Sequence, residues 1–164
     1  MANKSRIPNF SELMKNPYLM FGFGFGSGLS PKAPGTVGTL LGLLLFIPLL
    51  MWSELAAWIV CALGLFFGSL ICGKSADYIK VHDHGGIVWD EFVGIWLVLL
   101  VLPEQSWSYW LAAFVAFRVF DIWKPWPIKT IDETVSGGFG IMLDDVLAAV
   151  FAIIVIWIAY FFMI

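Results

Sequence analysis

Two stretches of this chain run for nineteen residues without a charged side chain, Leu55–Gly73 and Val146–Ile164. Each would form a helix about 28 Å long, close to the thickness of a bilayer's hydrocarbon core. Composition points the same way: 60% of the residues are hydrophobic and 13% are charged, against about 25% charged in an ordinary soluble domain. So few charges could not cover the surface of a soluble protein, and disorder would need the opposite balance. The length, 164 residues, suits one domain spanning 1–164. Nine Lys and Arg against twelve Asp and Glu leave a net charge of −3, which argues against nucleic acid as a partner.

Three further segments complete a bundle of about five spans. Val37–Ser53 is free of charge but slightly short. Ile87–Leu102 carries Asp90 and Glu91 near its start, and Trp107–Trp123 carries Arg118 and Asp121 near its end. Lys124, Pro125, Trp126 and Pro127 close the latter, because proline cannot continue a helix. The expected fold is all-α, a polytopic membrane helix bundle with a polar cytoplasmic rim. The nine Trp favour anchoring in the headgroup zone. Cys61 and Cys72 lie in apolar surroundings with no metal-ligand spacing and read as packing residues. No apolar signal-peptide core follows Lys4 and Arg6, so the first span is expected to direct insertion.

Orientation follows from the basic residues. Lys4, Arg6, Lys15 and Lys32 precede the first span, Lys74 and Lys80 follow the second, and Arg118, Lys124 and Lys129 gather at the end of the fourth. The turns at Trp52–Glu54 and Pro103–Ser108 hold none. All the positive charge therefore falls on one side, the cytoplasmic one, which leaves the C-terminus outside. Ten of the twelve acids fall on that side too, all but Glu54 and Glu104.

Ionisable groups at membrane depth cost about 2.5–3.5 kcal/mol each at a helix centre and less near an end, so they usually have a task. Asp90 with Glu91, and Asp144 with Asp145, are adjacent carboxylates about 100° apart around a helix. One such acid is explained by the positive end of a helix dipole. Two pairs plus Asp121 at one level exceed what capping requires, and five such carboxylates need cations to stay ionised. Oxygen ligands suit Mg²⁺ or another hard divalent ion.

Arg118, Asp121 and Lys124 fall at i, i+3 and i+6, either a simple ion-pair ladder or a phosphate-binding pair around a metal-binding Asp. The glycine-rich segment Gly22–Thr39 fits neither a Walker A loop nor a dinucleotide fingerprint. Lys32 and the hydroxyls of Ser30, Thr36 and Thr39 favour an anion cradle over a bare re-entrant loop. His82 and His84, two apart in a loop, favour loop shaping over a metal site. A second glycine-rich stretch, Ser136–Gly140, leads into Asp144 and would let a helix start approach a phosphate. Metal-assisted phosphoryl chemistry on a lipid headgroup is the reaction class these groups share.

Four motifs in this order, Gly24–Thr39, His82–Gly94, Arg118–Ile128 and Gly137–Asp145, closely resemble the phosphatidylglycerophosphatase A family over nearly the whole chain. The resemblance implies a Mg²⁺-dependent enzyme of the bacterial inner membrane with an all-helical fold. It would hydrolyse the terminal phosphate monoester of phosphatidylglycerophosphate, within the bilayer, to phosphatidylglycerol and phosphate. Carried over by position, Asp90, Glu91, Asp121, Asp144 and Asp145 would bind metal, and Lys32, Thr36, Arg118 and Lys124 would hold the phosphate. Asp90, Glu91 and Asp144 would be catalytic, with Glu91 orienting or deprotonating the attacking water. A covalent aspartyl-phosphate route is the variant of this chemistry. Two other readings compete: an ion-coupled transporter using the same acids, which would want them near the midplane in repeated halves, and a non-catalytic assembly subunit.

Overall fold

The computed structural model describes residues 7–81 and 84–163, and every regular element among them is helical. Lys4, Arg6, His82 and Asp83 lie outside the described residues. Two short helices come first, α1 (Phe10–Lys15) and α2 (Pro17–Gly22). Asn9 opens α1 with a reciprocal capping box: its side chain accepts from the Glu12 amide at 3.0 Å, and its own amide donates to Glu12 at 2.8 Å. Pro17 sits at the first position of α2, where its missing N–H costs nothing.

The glycine-rich segment then forms an irregular 3₁₀ stretch, Gly24–Leu29, with Phe25 and Gly26 at positive φ. It packs on the loop before the next buried helix: the Val88 amide donates to the Gly22 carbonyl at 2.8 Å. A Cβ on Gly28 would strike the backbone carbonyl of Gly86. His84 shapes that same loop, its Nδ1 accepting from the Gly86 amide at 3.0 Å.

Five longer helices make the bundle: α3 (Pro34–Trp52), α4 (Glu54–Ile79), α5 (Trp89–Leu100), α6 (Trp107–Trp123) and, after the short α7 (Ile128–Thr134), α8 (Gly137–Met163). Ser53 alone separates α3 from α4 and caps the latter, its Oγ accepting from the Ala56 amide. By length and apolarity, three of these helices can cross a membrane: Pro34–Trp52, Glu54–Ile79 and Gly137–Phe162. The others fall short of the roughly 20 residues a crossing needs, α6 with 17 and α5 with 12.

Boundaries differ from the sequence expectation in an informative way. The helix of the last expected span starts nine residues before Val146, at Gly137, so Asp144 is its eighth residue. It therefore sits about 10 Å along the helix, not at its tip. Helix α4 likewise continues through Lys74 to Ile79, where Lys80 ends it in the left-handed conformation. Charge-free runs measure the apolar part of a helix, and these two helices extend beyond theirs.

Helix α5 is the core. Trp89–Trp96 and Val98–Leu100 are all buried, apart from a half-buried Leu97 between them. Inside a bilayer, helices associate through close packing and interhelical hydrogen bonds, because lipid is as apolar as leucine. Both devices are present. The Trp96 indole donates to the Gly42 carbonyl of α3 at 3.0 Å, and the Trp89 indole to the Gly64 carbonyl of α4 at 3.2 Å. These two indoles are core ties and not interfacial anchors. Trp52, Trp107, Trp123 and Trp126 are the ones exposed at helix ends and turns.

Candidate active site

One end of α5 carries Asp90 and Glu91 in its first turn, both buried. Arg118 and Asp121 approach from the last turns of α6, Lys124 from its left-handed C-cap, and Asp144 and Asp145 from the third turn of α8. Together with Pro34 and Gly35 of α3 they line one cavity of about 270 Å³. All five expected acids and two of the four expected phosphate ligands, Arg118 and Lys124, thus meet at one place. Lys32 is exposed and Thr36 half-buried, and neither lines the cavity. The glycines of 22–28 do not line it either.

The acids divide into two groups by partner. Arg118 pairs with Asp121 through its Nη1, which also lies 3.6 Å from Glu91 Oε1. Lys124 Nζ donates to Asp144 Oδ2 at 2.5 Å and to Asp132 Oδ1 at 2.8 Å. Burial works against the charge on Lys124, but the two carboxylate bonds outweigh it and raise its pKa above the ordinary lysine value. The remaining carboxylates form a tighter set: Asp90, Glu91 and Asp145 each offer an oxygen within 4.8 Å of the others. Asp90 Oδ1, Glu91 Oε2, Asp144 Oδ1 and Asp145 Oδ2 are buried and lack any hydrogen-bond donor.

Orphaned buried carboxylate oxygens are costly. An all-oxygen donor set of this kind fits a hard divalent cation such as Mg²⁺, which demands oxygen ligands and tolerates few others. Asp121 and Asp144 are adjacent to this set while already paired with cationic side chains.

One part of the site escaped the sequence reading. Asp132 of α7, eight residues beyond Lys124, closes the lysine's second bond across the proline turn. No helical spacing connects them, so only the fold could pair them. The start of α3 falls within the glycine-rich segment expected to cradle an anion. Its N-cap, Ala33, provides no side-chain hydrogen bond and Pro34 has no N–H, so Gly35 is the first-turn residue on the cavity wall with an amide to offer an anion. Gly35 permits that approach: a Cβ there would collide with Glu91 Oε1 and lie 3.1 Å from an Arg118 nitrogen.

The profile of one family, Phosphatidylglycerophosphatase A, matches residues 20–160, a span that includes every residue of this cavity. The chain belongs to the phosphatidylglycerophosphatase A family. Among its relatives, phosphatidylglycerophosphatase A of Haemophilus influenzae is 48% identical over 149 residues, covering 90% of this chain and 91% of the relative. That of Escherichia coli K12 is 46% identical over 142 residues, covering 84% and 80%. A Bacteroides thetaiotaomicron protein is 39% identical over 155 residues, covering 89% and 97%; its name assigns it, provisionally, phosphatidylinositol-3-phosphatase activity. No solved structure matches the chain.

Proposed function

We propose that this protein is a phosphatidylglycerophosphatase, removing the terminal phosphate of phosphatidylglycerophosphate to give phosphatidylglycerol and phosphate. The observation that carries the reading is the cavity itself: unpartnered carboxylate oxygens face two buried-to-half-buried cations inside a family of that name. The transporter reading finds no support, since the family and its matched relatives are named as phosphatases.

Asp90, Glu91 and Asp145 would hold Mg²⁺, with Asp121 and Asp144 beside them. When bound, it supplies Lewis-acid polarisation and neutralises charge building on the phosphoryl oxygens. The rest belongs to the chain. Arg118 and Lys124 grip the phosphate, and Gly35 in the first turn of α3 offers it an amide donor. Lys32 and Thr36, flanking the Ala33–Gly35 edge in sequence, add a charge and a hydroxyl at the margin. Glu91 orients the attacking water and accepts its proton. The water oxygen bonds to phosphorus, the bond from phosphorus to the glycerol oxygen breaks, and that oxygen takes a proton from solvent, to which Glu91 then returns the one it accepted.

In the bacterial inner membrane, α3, α4, α5, α6 and α8 serve as the five crossings, with the cavity on the cytoplasmic side. The test is phosphate release by the purified protein from phosphatidylglycerophosphate and, in parallel, phosphatidylinositol 3-phosphate. Activity with Mg²⁺ should prefer the former and vanish with excess chelator. Asp90→Asn and Asp145→Asn should each lose about 10²-fold or more in kcat. Chelator-resistant turnover removes the metal, and full activity in both variants removes the site.

A further inference from the structure

We infer that the groove between α3 and α6 seats an acyl chain of the lipid whose phosphate enters the cavity, so that this one face reads both headgroup and tail. The inference rests on the lipid-phosphatase reading above. The groove holds about 520 Å³ and no charged side chain lines it. Leu40, Leu44 and Ile47 form one wall, and Trp107, Leu111 and Phe114 the other.

Its course along the helices links it to the cavity. Helix α3 lends Gly35 to the cavity and, from five residues on, Leu40 to the groove. Helix α6 lends Arg118 to the cavity and, one turn back, Phe114 to the groove. At 1.5 Å per residue, the groove's near end lies about 6–8 Å from the phosphate site on both walls. Arg118, Phe114, Leu111 and Trp107 fall at i, i−4, i−7 and i−11, which is one stripe of α6. The guanidinium and the apolar wall therefore face the same way. At the cavity mouth, Ile122 is both a lining residue and 69% exposed, an arrangement suited to lipid and not to water.

The neighbouring apolar groove, between α6 and α8, is not connected in this way. Its α8 wall starts at Val155, ten residues or about 15 Å beyond Asp145, and on that stretch the rings of Phe120 and Phe151 pack 5.5 Å apart between the two helices. Val155, which lines that second groove, is thus a matched control.

The deciding measurement is chain-length selectivity, the ratio of kcat/KM for dioleoyl to dihexanoyl phosphatidylglycerophosphate in the same micelles. A six-carbon chain barely reaches the groove, whereas an oleoyl chain runs its length. Leu44→Trp and Leu111→Trp fill the groove and should each cut the ratio about tenfold, the scale of a few buried methylenes. Val155→Trp should leave it unchanged. Because both substrates are read on one preparation, partial misfolding cancels. An unchanged ratio in both groove variants, or an equal fall in Val155→Trp, overturns the groove and leaves the phosphatase reading intact. Failure of the unaltered protein to release phosphate from either lipid overturns the phosphatase reading itself.

Discussion

At the residue scale, the acids were legible because carboxylates beside long apolar runs are expensive and demand a reason. Asp90, Glu91, Asp121, Asp144 and Asp145 could be named from that alone, and all five line one cavity. Their division was not legible, since it depends on which cation each one meets. Arg118 takes Asp121, Lys124 takes Asp144 and Asp132, and Asp90, Glu91 and Asp145 are left as the close set. Gly35 shows the same limit. Its neighbours are 56 and 83 residues away in sequence, so nothing local marks it as different from the other glycines of its segment. The fold makes it different. In Gly35→Ala the new methyl must displace Glu91 or Arg118, and a shift of about 1 Å in a catalytic group can cost about 10²-fold. Gly73→Ala is the comparison, because its methyl would stand 3.6 Å from Gly138 in ordinary contact and would favour the helix. We expect phosphate release to collapse in the first variant and persist in the second. Equal rates in the two would show that Gly35 does not fix the cavity.

At the element scale, α6 begins and ends where the sequence places it, at Trp107 and Trp123; a proline turn fixes its end, while Ser106 at its start makes no side-chain capping bond. Helix α5 is less simple. Its twelve residues make about 18 Å, too short to carry its carbonyls out of a hydrocarbon layer of about 30 Å. Helix ends at that depth need protein partners, since lipid offers none. Two are present: Gln105 Nε2 donates to the Leu99 carbonyl and the Trp157 indole to the Val101 carbonyl, both at 2.8 Å. Hydropathy cannot show such ties, as neither Gln105 nor Trp157 stands out by composition. Replacing either donor leaves a carbonyl short of a partner, at a cost of about 1–3 kcal/mol. Trp157→Phe and Gln105→Ala should therefore lower the unfolding midpoint in detergent. The site lies at the opposite end of α5, so kcat per folded molecule should hold. A midpoint unaltered in both variants would mean that α5 ends without their help.

For the whole molecule, the five long helices run alternately toward and away from the acids. Gly35 begins α3 at the cavity, Asp90 and Glu91 begin α5 there, and Arg118 and Asp121 end α6 there. Asp144 and Asp145 lie near the start of α8, while α4 returns from the far side, its Gly73 level with Gly138. That alternation is what the five proposed crossings require, and three of the helices qualify by length and apolarity. Helix α5 is buried among its neighbours, whereas α6 buries Ala113 and Phe117 and leaves Trp107, Leu111, Val115, Val119 and Ile122 exposed. The five proposed crossings would place the α5–α6 turn on one face of the membrane and α7 and the cavity on the other. Both native cysteines are free and buried, so they should stay silent toward a membrane-impermeant maleimide. Glu104, in the α5–α6 turn, and Lys129, in α7, are both exposed. Glu104→Cys should be labelled from outside intact spheroplasts, and Lys129→Cys should react only after the membrane is opened. Labelling of both before permeabilisation would place the two segments on one side, which five alternating crossings forbid. The opposite pattern would put the cavity in the periplasm and reverse the orientation drawn from the lysines and arginines.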